Sequence, residues 1–326
     1  MSFSLWLAPS MGFLLSWCSV SLLLRHPQLL PVDRPNSRSS HAVPTLRGGG
    51  IGIVLGFSAA SLALWAGGEV QGLMVLAVVG GGLAVAGVGF WDDLVQLPIV
   101  WRLLVHAVAV AWGLWWVGVE GVASLGLAVL LVWMINLYNF MDGIDALAGG
   151  QAVLSATSAA WILWLQGETG FAVWLLSLAA SAVGFLCFNL PPAKIFLGDV
   201  GSGFLGFVFG MLALLSCQSG AMTALSWAIL LAVFVTDTGF TLFRRIVAGK
   251  PFWQAHRTHA YQRLARRFGH GPVTAGVAAI DAFWLLPLGI LAARYPEAGI
   301  GLTALAYAPL LWMVWRVRAG EEDINS

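Results

Sequence analysis

The chain has 326 residues, of which 59% are hydrophobic and 10% are charged, and its formal net charge is +1. A soluble domain carries about 25% charged residues. This chain cannot cover a soluble core with polar side chains, so it is predicted to be a polytopic membrane protein. The composition excludes a disordered chain and a disulfide scaffold, and the net charge gives no electrostatic case for a nucleic-acid partner.

Continuous apolar runs, rather than alternating ones, predict α-helices that cross the bilayer. We expect an all-α fold with about eleven transmembrane helices, in a single integral membrane domain over residues 1–326. The runs lie near residues 3–24, 49–66, 70–90, 101–118, 121–138, 147–165, 171–189, 203–218, 222–243, 273–293 and 299–315.

The basic residues predict the orientation of these helices. When the N-terminus is placed outside, all of the sixteen Lys and Arg residues except Arg294 fall in loops on the inner side. This bias follows the positive-inside rule. Eleven spans then put the C-terminus in the cytoplasm as well, with Glu321 and Glu322 in a solvated tail.

The acidic residues also accumulate on the inner side. Six Asp residues lie at the predicted cytoplasmic ends of spans: Asp33, Asp92, Asp93, Asp142, Asp145 and Asp199. Ionisable groups at membrane depth are costly, and they are candidates for function by default. Their accumulation on one face indicates a cation site or acid–base chemistry.

The first inner loop, from Asp33 to Gly50, is polar, basic and glycine-rich, and it leads directly into a predicted helix. Backbone N–H groups at a helix entry, with Arg38 and Arg47 nearby, suit a phosphate group. The alternative is a juxtamembrane loop that meets anionic lipid.

The next inner turn contains the adjacent carboxylates Asp92 and Asp93. Like charges repel, so a metal ion, another cation or a bound proton is needed to keep them together. One of the two could act as a general base. The alternative is an exposed pair at a helix end.

The fifth predicted span ends with polar residues at every third position: Asn136, Asn139, Asp142 and Asp145. These side chains share one half of the helix if the helix continues through this segment. Two amides and two carboxylates would then form a stripe that can bind hydrogen-bonding groups or a metal ion. Chance polar caps are the alternative.

The segment from Asn189 to Gly206 contains Lys194, Phe196 and Asp199. Its last six residues match the dinucleotide-binding fingerprint literally, but this fingerprint requires a preceding strand and a βαβ unit. Here the segment opens an apolar helix. We therefore expect its glycines to allow close packing between membrane helices.

The last inner loop, from Arg244 to Arg267, is the most basic segment of the chain and contains His256 and His259. Two His and several Arg side chains could hold a diphosphate. A basic loop that faces lipid headgroups is the alternative.

Together these segments resemble the polyprenyl-phosphate N-acetylhexosamine-1-phosphate transferase family (glycosyltransferase family 4). The resemblance is carried, in chain order, by Asp92-Asp93-x-x-x-Leu-Pro, Asn136-x-x-Asn-x-x-Asp-Gly-x-Asp145 and Phe196-Leu-Gly-Asp-x-Gly-Ser202. The run Arg34–His41 and the segment His259-Ala-Tyr-Gln-Arg-Leu look most like the subgroup that initiates O-antigen synthesis (WbpL type). The family's last loop commonly reads His-x-His-His, whereas Tyr261 and Gln262 stand here in place of the second and third His.

The resemblance implies an Mg²⁺-dependent sugar-1-phosphate transferase, with Mn²⁺ as the alternative ion. The reaction moves an N-acetylhexosamine 1-phosphate, GlcNAc or a 6-deoxy relative, from a UDP-sugar to undecaprenyl phosphate and releases UMP. This is the first membrane step of O-antigen or related surface polysaccharide synthesis. It takes place in the bacterial inner membrane, with the active site on the cytoplasmic face and the N-terminus in the periplasm.

The resemblance also implies roles for individual residues. Asp199 is the Mg²⁺ ligand, while Asp92 orients or deprotonates the lipid phosphate, supported by Asp93, and His259 completes the catalytic set. Phe196 stacks on uracil. The substrate-binding residues implied in this way are Arg47, Asn136, Asn139, Asp142, Asp145, Asn189, Phe196, Arg257 and Arg263.

A membrane transporter or flippase for a lipid-linked or anionic substrate is the alternative function. Transporters usually place ionisable groups near the bilayer midplane between internal repeats. Most carboxylates here lie at one predicted interface, and no repeat is evident. Whether the chain forms a homodimer is left open by the sequence.

Overall fold

The computed structural model describes residues 3–33, 43–251 and 256–322. Within these ranges the chain forms fifteen α-helices and three short strands. The helices are α1 (Phe3–Arg25), α2 (Gly50–Ala66), α3 (Gly72–Val75), α4 (Gly81–Val95), α5 (Ile99–Trp116), α6 (Val122–Phe140), α7 (Leu147–Leu165), α8 (Thr169–Asn189), α9 (Asp199–Gln218), α10 (Ala224–Leu230), α11 (Ala232–Val247), α12 (Ala260–Phe268), α13 (His270–Ile280), α14 (Leu286–Arg294) and α15 (Gly299–Arg316).

The architecture confirms a helical polytopic membrane protein. Each of the eleven predicted apolar runs is helical, and π-helical turns join α3 to α4 and α13 to α14. By length and composition, eight helical units of the described chain can cross a membrane, or up to nine if the bent pair α10–α11 is one span. Helices α2 and α7 are not among them.

The predicted span near 222–243 is not one straight helix. It is bent by 81° between α10 and α11. The Leu230 carbonyl at the end of α10 accepts hydrogen bonds from Gln151 Nε2 (3.4 Å) and Ser155 Oγ (3.2 Å) of α7. A break inside an apolar bundle is tolerated when side chains of a neighbouring helix satisfy the backbone groups in this way.

A small sheet of three short strands accompanies the helices. Strands β1 (Val32–Asp33), β2 (Thr45–Arg47) and β3 (Ile195–Phe196) pair in that order, β1 antiparallel and β3 parallel to β2. The Gly48 and Gly49 N–H groups donate to the Phe196 carbonyl (3.2 and 2.9 Å). The sheet therefore fixes the end of the first loop against the chain that precedes α9.

Helix α9 is the central helix, and glycines let its neighbours approach it closely. A Cβ added at Gly206 would lie 2.7 Å from the Ile135 Cα of α6, and one added at Gly50 of α2 would lie 2.6 Å from the Gly201 nitrogen. The segment 201–206 is thus a buried part of a helix, as expected from packing rather than from dinucleotide binding.

Hydrogen bonds between helix ends show which ends share one face of the protein. The α8 residue Asn189 binds the Ala146 N–H just before α7, and Asp145 pairs with His270 at the start of α13. The end of α4 binds the start of α9 through Asp93. Successive long helices therefore run in alternating directions.

We expect Gly206→Ala to destabilise the protein, because its Cβ would meet the α6 backbone and force α6 and α9 apart. Overpacking of this kind costs about 1–3 kcal/mol, which thermal unfolding in detergent would reveal as a lower Tm. Gly126→Ala is the matched control, because nothing lies within 4 Å of a Cβ at this position of α6. An equal Tm for the two variants would contradict the close packing of α6 on α9.

Candidate active site

Asp199 lies at the first position of α9, where the end of β3 turns into the helix. Its carboxylate meets two guanidinium groups: Arg102 Nη2 at 3.1 Å and Arg47 Nη2 at 3.9 Å. The preceding Gly198 has φ +77°, and a Cβ there would lie 2.6 Å from Asp93 Oδ2. Glycine is therefore required both for the backbone turn and for the approach of α4.

The adjacent carboxylates at the end of α4 have different partners. Asp93 is buried, and its two oxygens accept the N–H groups of Asp199 (3.1 Å) and Val200 (3.2 Å). It thereby satisfies free N–H groups at the start of α9. Asp92 accepts the Leu97 N–H (2.6 Å) and pairs with Arg102 Nη1 (2.8 Å).

Arg102, in the first turn of α5, bridges Asp92 and Asp199 through its two terminal nitrogens. One guanidinium group thus binds both carboxylates, and their charges repel each other. Neighbouring carboxylates need a shared proton or a bound cation to relieve this repulsion. The predicted site did not include Arg102. The signal that could have found it is a lone Arg at the start of the helix that follows the Asp pair.

Arg47 lies at the end of β2 and interacts with carboxylates from four segments. Its Nε lies 3.4 Å from Asp93 Oδ1 and 4.0 Å from Asp33 Oδ2. Burial lowers the pKa of Arg47, but the surrounding carboxylates outweigh burial and the net direction is upward. The acidic cluster is defined by its carboxylates, which are Asp33, Asp92, Asp93, Asp142 and Asp199, around the two guanidinium groups of Arg47 and Arg102. It carries more negative than positive groups.

Asn139 and Asp142 of the predicted polar stripe belong to this site. Asn139 donates to Ser202 Oγ (3.1 Å) and lies near the Asp199 carboxylate, while Asp142 lies near Gly198 and the charges of Arg47, Asp199 and Asp93. Burial raises the pKa of Asp142 to about 7, Arg47 opposes the shift, and the charges of Asp199 and Asp93 add to it.

The prediction that all four polar residues share one side of a continuous helix is wrong, because α6 ends at Phe140. Asn136 donates to the Val132 carbonyl of its own helix (2.7 Å). Asp145 accepts the Ala193 N–H (3.2 Å) and lies 3.2 Å from His270 Nδ1. The turn after the helix therefore separates Asp145 from Asp142, and its side chain ties the start of α13 to the loop before β3.

Asn189 and Phe196 hold the other side of this turn. The buried Asn189 amide accepts the Ala146 N–H (2.9 Å) and donates to the Ile195 carbonyl (2.8 Å). Both ends of the amide thus bind backbone. Phe196 is half-buried in β3, and its carbonyl accepts the N–H groups of Gly48 and Gly49.

His259 is buried at the start of α12 rather than open to a pocket. Its Nδ1 lies 3.1 Å from Asp237 Oδ1, and Asp237 also accepts the N–H groups of Ala260 and Tyr261 (both 2.9 Å). The Tyr261 hydroxyl donates to the Phe140 carbonyl (3.0 Å). Asp237 of α11 thus positions the last loop against the end of α6.

The His256 ring stacks on His259 with 5.0 Å between ring centroids. Burial, together with the charges of His259 and Arg245, lowers the pKa of His256 to about 3. This ring is therefore neutral near pH 7. Its Nδ1 forms a hydrogen bond with Thr258 Oγ1 (3.0 Å), as donor or acceptor according to the tautomer.

The predicted substrate contacts Arg257 and Arg263 lie in the last loop and in α12. Arg263 donates to the Glu321 carbonyl, and the Arg257 carbonyl accepts from Arg266 Nη1 (3.0 Å). Neither contact joins the acidic cluster.

Glu321 and Glu322 are solvated, as expected, with side chains 41% and 55% exposed, and they also form ion pairs. Glu321 pairs with Arg244 at 3.0 Å, and Glu322 pairs with Lys250 at 3.0 Å. The Gly320 N–H donates to the Thr258 carbonyl (2.8 Å). Opposite charges thus hold the acidic tail against the basic last loop.

Few carboxylates of the site could bind one metal ion together. No group of three or more His, Cys, Asp or Glu side chains is arranged to hold a metal ion within residues 3–33, 43–251 and 256–322. Asp92 and Asp199 form a close pair of carboxylates. Mg²⁺ is usually held in this way, by one or two carboxylates with waters and substrate phosphates completing its shell.

Comparison with known proteins gives the same family that the sequence motifs resemble. Residues 75–217 match the family model for glycosyl transferase family 4. A probable undecaprenyl-phosphate N-acetylglucosaminyl 1-phosphate transferase of Bacillus subtilis is 31% identical over 252 residues, which cover 72% of this chain and 69% of that protein. A decaprenyl-phosphate N-acetylglucosaminephosphotransferase of Mycobacterium leprae is 29% identical over 289 residues, 74% of this chain and 72% of that protein.

A third relative covers less of the chain. The undecaprenyl-phosphate alpha-N-acetylglucosaminyl 1-phosphate transferase of Escherichia coli K12 is 31% identical over 183 residues, 53% of this chain and 47% of that protein. The match thus spans about half the length of the Escherichia coli protein.

We expect Asp142→Asn to weaken the pH dependence of stability. The pKa of Asp142 is about 7 in the folded protein against an ordinary 3.8, so the folded state holds an extra proton between these values. The free energy of unfolding therefore falls as the pH rises through this window. Without divalent ions, the Tm of the wild type should fall more steeply between pH 5 and 8 than that of Asp142→Asn.

Glu168→Gln is the control for this measurement, since Glu168 lies at the opposite end of the bundle just before α8. Its Tm profile should keep the slope of the wild type. Parallel profiles for Asp142→Asn and the wild type would contradict the buried position of Asp142 among acidic neighbours.

Proposed function

Because the chain belongs to glycosyl transferase family 4, we propose that it transfers an N-acetylhexosamine 1-phosphate from a UDP-sugar to undecaprenyl phosphate and releases UMP. The observation that carries this proposal is the acidic cluster with Arg47 and Arg102 at the ends of apolar helices. Such a site can receive a soluble nucleotide from one side and a lipid phosphate from the other. The relatives named above act on polyprenyl phosphates of this kind.

The acidic cluster fits a divalent cation. Its carboxylates outnumber its guanidinium groups, and Arg102 binds both Asp92 and Asp199. We propose that Asp199, with Asp92, holds Mg²⁺ or Mn²⁺ together with oxygens of the sugar-nucleotide diphosphate. When bound, the ion would neutralise the diphosphate and stabilise the departing UMP.

The arginines would bind and orient the phosphates. Arg102 and Arg47 each face two or more carboxylates from different segments. Entry of a cation and of anionic phosphates would let these guanidinium groups exchange carboxylate partners for phosphate oxygens, to which Arg binds bidentately. Asp93 keeps its role at the start of α9 and positions Asp199.

The overall reaction joins an oxygen of the lipid phosphate to the phosphorus that carries the sugar, and the bond from that phosphorus to UMP breaks. A phosphate monoester is already largely ionised near pH 7, with a second pKa of about 6. Removal of a proton by Asp92 therefore contributes less than holding the two phosphates in line. Asn139 and Asp142 would bind on the nucleotide side of Asp199.

The last loop would determine the sugar. His259, Tyr261 and Gln262 are buried and held by Asp237 and by each other, so the loop presents a fixed wall near the end of α6. We propose GlcNAc or a 6-deoxy relative as the transferred sugar. We propose that this reaction initiates O-antigen or a related surface polysaccharide. This part of the proposal rests partly on the sequence of residues 34–41, which lie outside the described residues.

We also propose that eleven helices cross the bacterial inner membrane, with the active site on the cytoplasmic face. The support is the alternation of the long helices, whose ends at α4, α6 and α8 lie at the same face as the starts of α5, α7 and α9. Most of the basic residues lie in loops on this face. A transporter has less support, because these polar groups lie at helix ends rather than near the midplane.

Asp199→Asn tests the proposed metal ligand. We expect UMP release from UDP-GlcNAc, with undecaprenyl phosphate and Mg²⁺, to fall by at least about 100-fold, because charge stabilisation at the reacting phosphate is lost. Glu168→Gln should retain the turnover of the wild type, since Glu168 lies far from the cluster. Equal turnover of the two variants would remove Asp199 from the reaction.

A further inference from the structure

Asp281 carries a carboxylate in the interior of the helix bundle, where the residue is only 4% exposed. It begins the π-helical turn Asp281–Leu285 that joins α13 to α14, and it lies about 16 Å along this span from His270, at 1.5 Å per residue. The span His270–Arg294 has 25 residues, so Asp281 lies close to the middle of a hydrocarbon layer about 30 Å thick. A carboxylate at this depth is costly and needs a partner.

The sequence distorts the helix at this position. Pro287 has no backbone N–H, so the carbonyl of Phe283, four residues earlier, cannot form its α-helical hydrogen bond. The helix adopts a π-helical turn here, and such turns occur frequently at functional sites. The turn packs against α7 and α10, and α10 ends at the 81° bend that leads into α11. Two distorted helices therefore meet in the same part of the bundle.

The Asp281 carboxylate lacks a counter-charge among the described residues. Neither of its oxygens has a hydrogen-bond partner in this part of the chain, and no described Lys, Arg or His side chain forms an ion pair with it. Gln151 of α7 and Tyr138 of α6 lie near it. Gln151 Oε1 and the Tyr138 hydroxyl are buried, and they too have no hydrogen-bond partner within the described residues.

The Gln151 amide is oriented by other contacts. Its Nε2 donates to Ser155 Oγ (2.8 Å) and to the Leu230 carbonyl at the end of α10 (3.4 Å), so its Oε1 remains as an acceptor. Gln151 and Asp281 thus bring three buried acceptor oxygens without donors into one region. Such oxygens have lost their hydration and need a positive charge or a donor in exchange.

The charge of this region selects the class of ligand. A single carboxylate among neutral oxygens is balanced by one positive charge, which favours a monovalent metal ion over a divalent one. In membrane proteins, a carboxylate beside a broken helix, whose backbone carbonyls are released at the break, is a recurrent setting for Na⁺ or for a proton.

We propose that Asp281 is the charged ligand of a buried site for a monovalent metal ion, Na⁺ or K⁺, with Gln151 and Tyr138 as neutral oxygen ligands. The inference is independent of the proposed transferase reaction, and the site is separate from the acidic cluster. The bound ion would join α6 and α7 to the turn between α13 and α14. Since α7 also binds the Leu230 carbonyl at the bend, the ion would help to fix α11, which carries Asp237.

Thermal unfolding of the full-length protein in detergent tests the site, at constant Mg²⁺ and equal ionic strength. NaCl or KCl should raise the Tm of the wild type by about 2–4 °C over its value in choline chloride, because an ion that binds only the folded state stabilises it. Choline is too large for a buried site. Equal Tm values in the three salts would overturn the inference, since a proton would then neutralise Asp281.

Asp281→Asn keeps the shape of the side chain and removes its charge, so its Tm should be the same in all three salts. Two controls should keep the rise of the wild type. Glu297→Gln removes an exposed carboxylate just beyond the same span, and Asp199→Asn removes one from the acidic cluster. A rise that persists in Asp281→Asn, or that disappears in Asp199→Asn, would place the ion elsewhere and overturn the inference.

Equilibrium binding of radioactive Na⁺ to the purified wild type gives a readout that does not require a variant to fold. With Mg²⁺ present to occupy the acidic cluster, binding should be saturable, and KCl should displace the bound Na⁺ while choline chloride should not. Asp281→Asn should lose this binding and Glu297→Gln should retain it. A wild type that binds no displaceable Na⁺ would overturn the inference.

Discussion

The structure depends on the balance of charge where helix ends meet. Carboxylates from four separate segments lie around Arg47 and Arg102, and Arg102 binds both Asp92 and Asp199. Such a cluster would repel itself in a poorly hydrated site without these guanidinium groups. The carboxylates still outnumber the guanidinium groups, which gives the site an affinity for a cation. A bound cation would in turn attract phosphate groups, so the cluster suits phosphate transfer.

The fold keeps this cluster together through backbone contacts that tolerate few side chains. Gly50 and Gly206 let α2 and α6 touch α9, and the pairing of β2 with β3 fixes the loop that carries Arg47. Asp237 holds the last loop in the same way, by accepting backbone N–H groups at the start of α12. Residues that never contact a substrate thus determine where the reactive groups lie.

Much of this was predictable from the sequence, because apolar length predicts membrane helices and clustered Asp residues predict a site. The meeting of Asp92 with Asp199 follows from their positions at inner helix ends. The different roles of Asn136 and Asp145 could not be predicted, since a period of three residues does not show where α6 ends. The role of Arg102 was missed although its position after the Asp pair was visible, because a single Arg at a helix start is also what the positive-inside rule predicts.

A double-mutant cycle between Arg102 and Asp199 tests the convergence of these segments most directly. The free energy of unfolding in detergent would be measured for the wild type, Arg102→Gln, Asp199→Asn and the double variant. Residues in direct contact should show a coupling energy of about 0.5–3 kcal/mol. Additive effects would mean that α5 and the start of α9 do not meet, and would contradict the acidic cluster as the basis of the site.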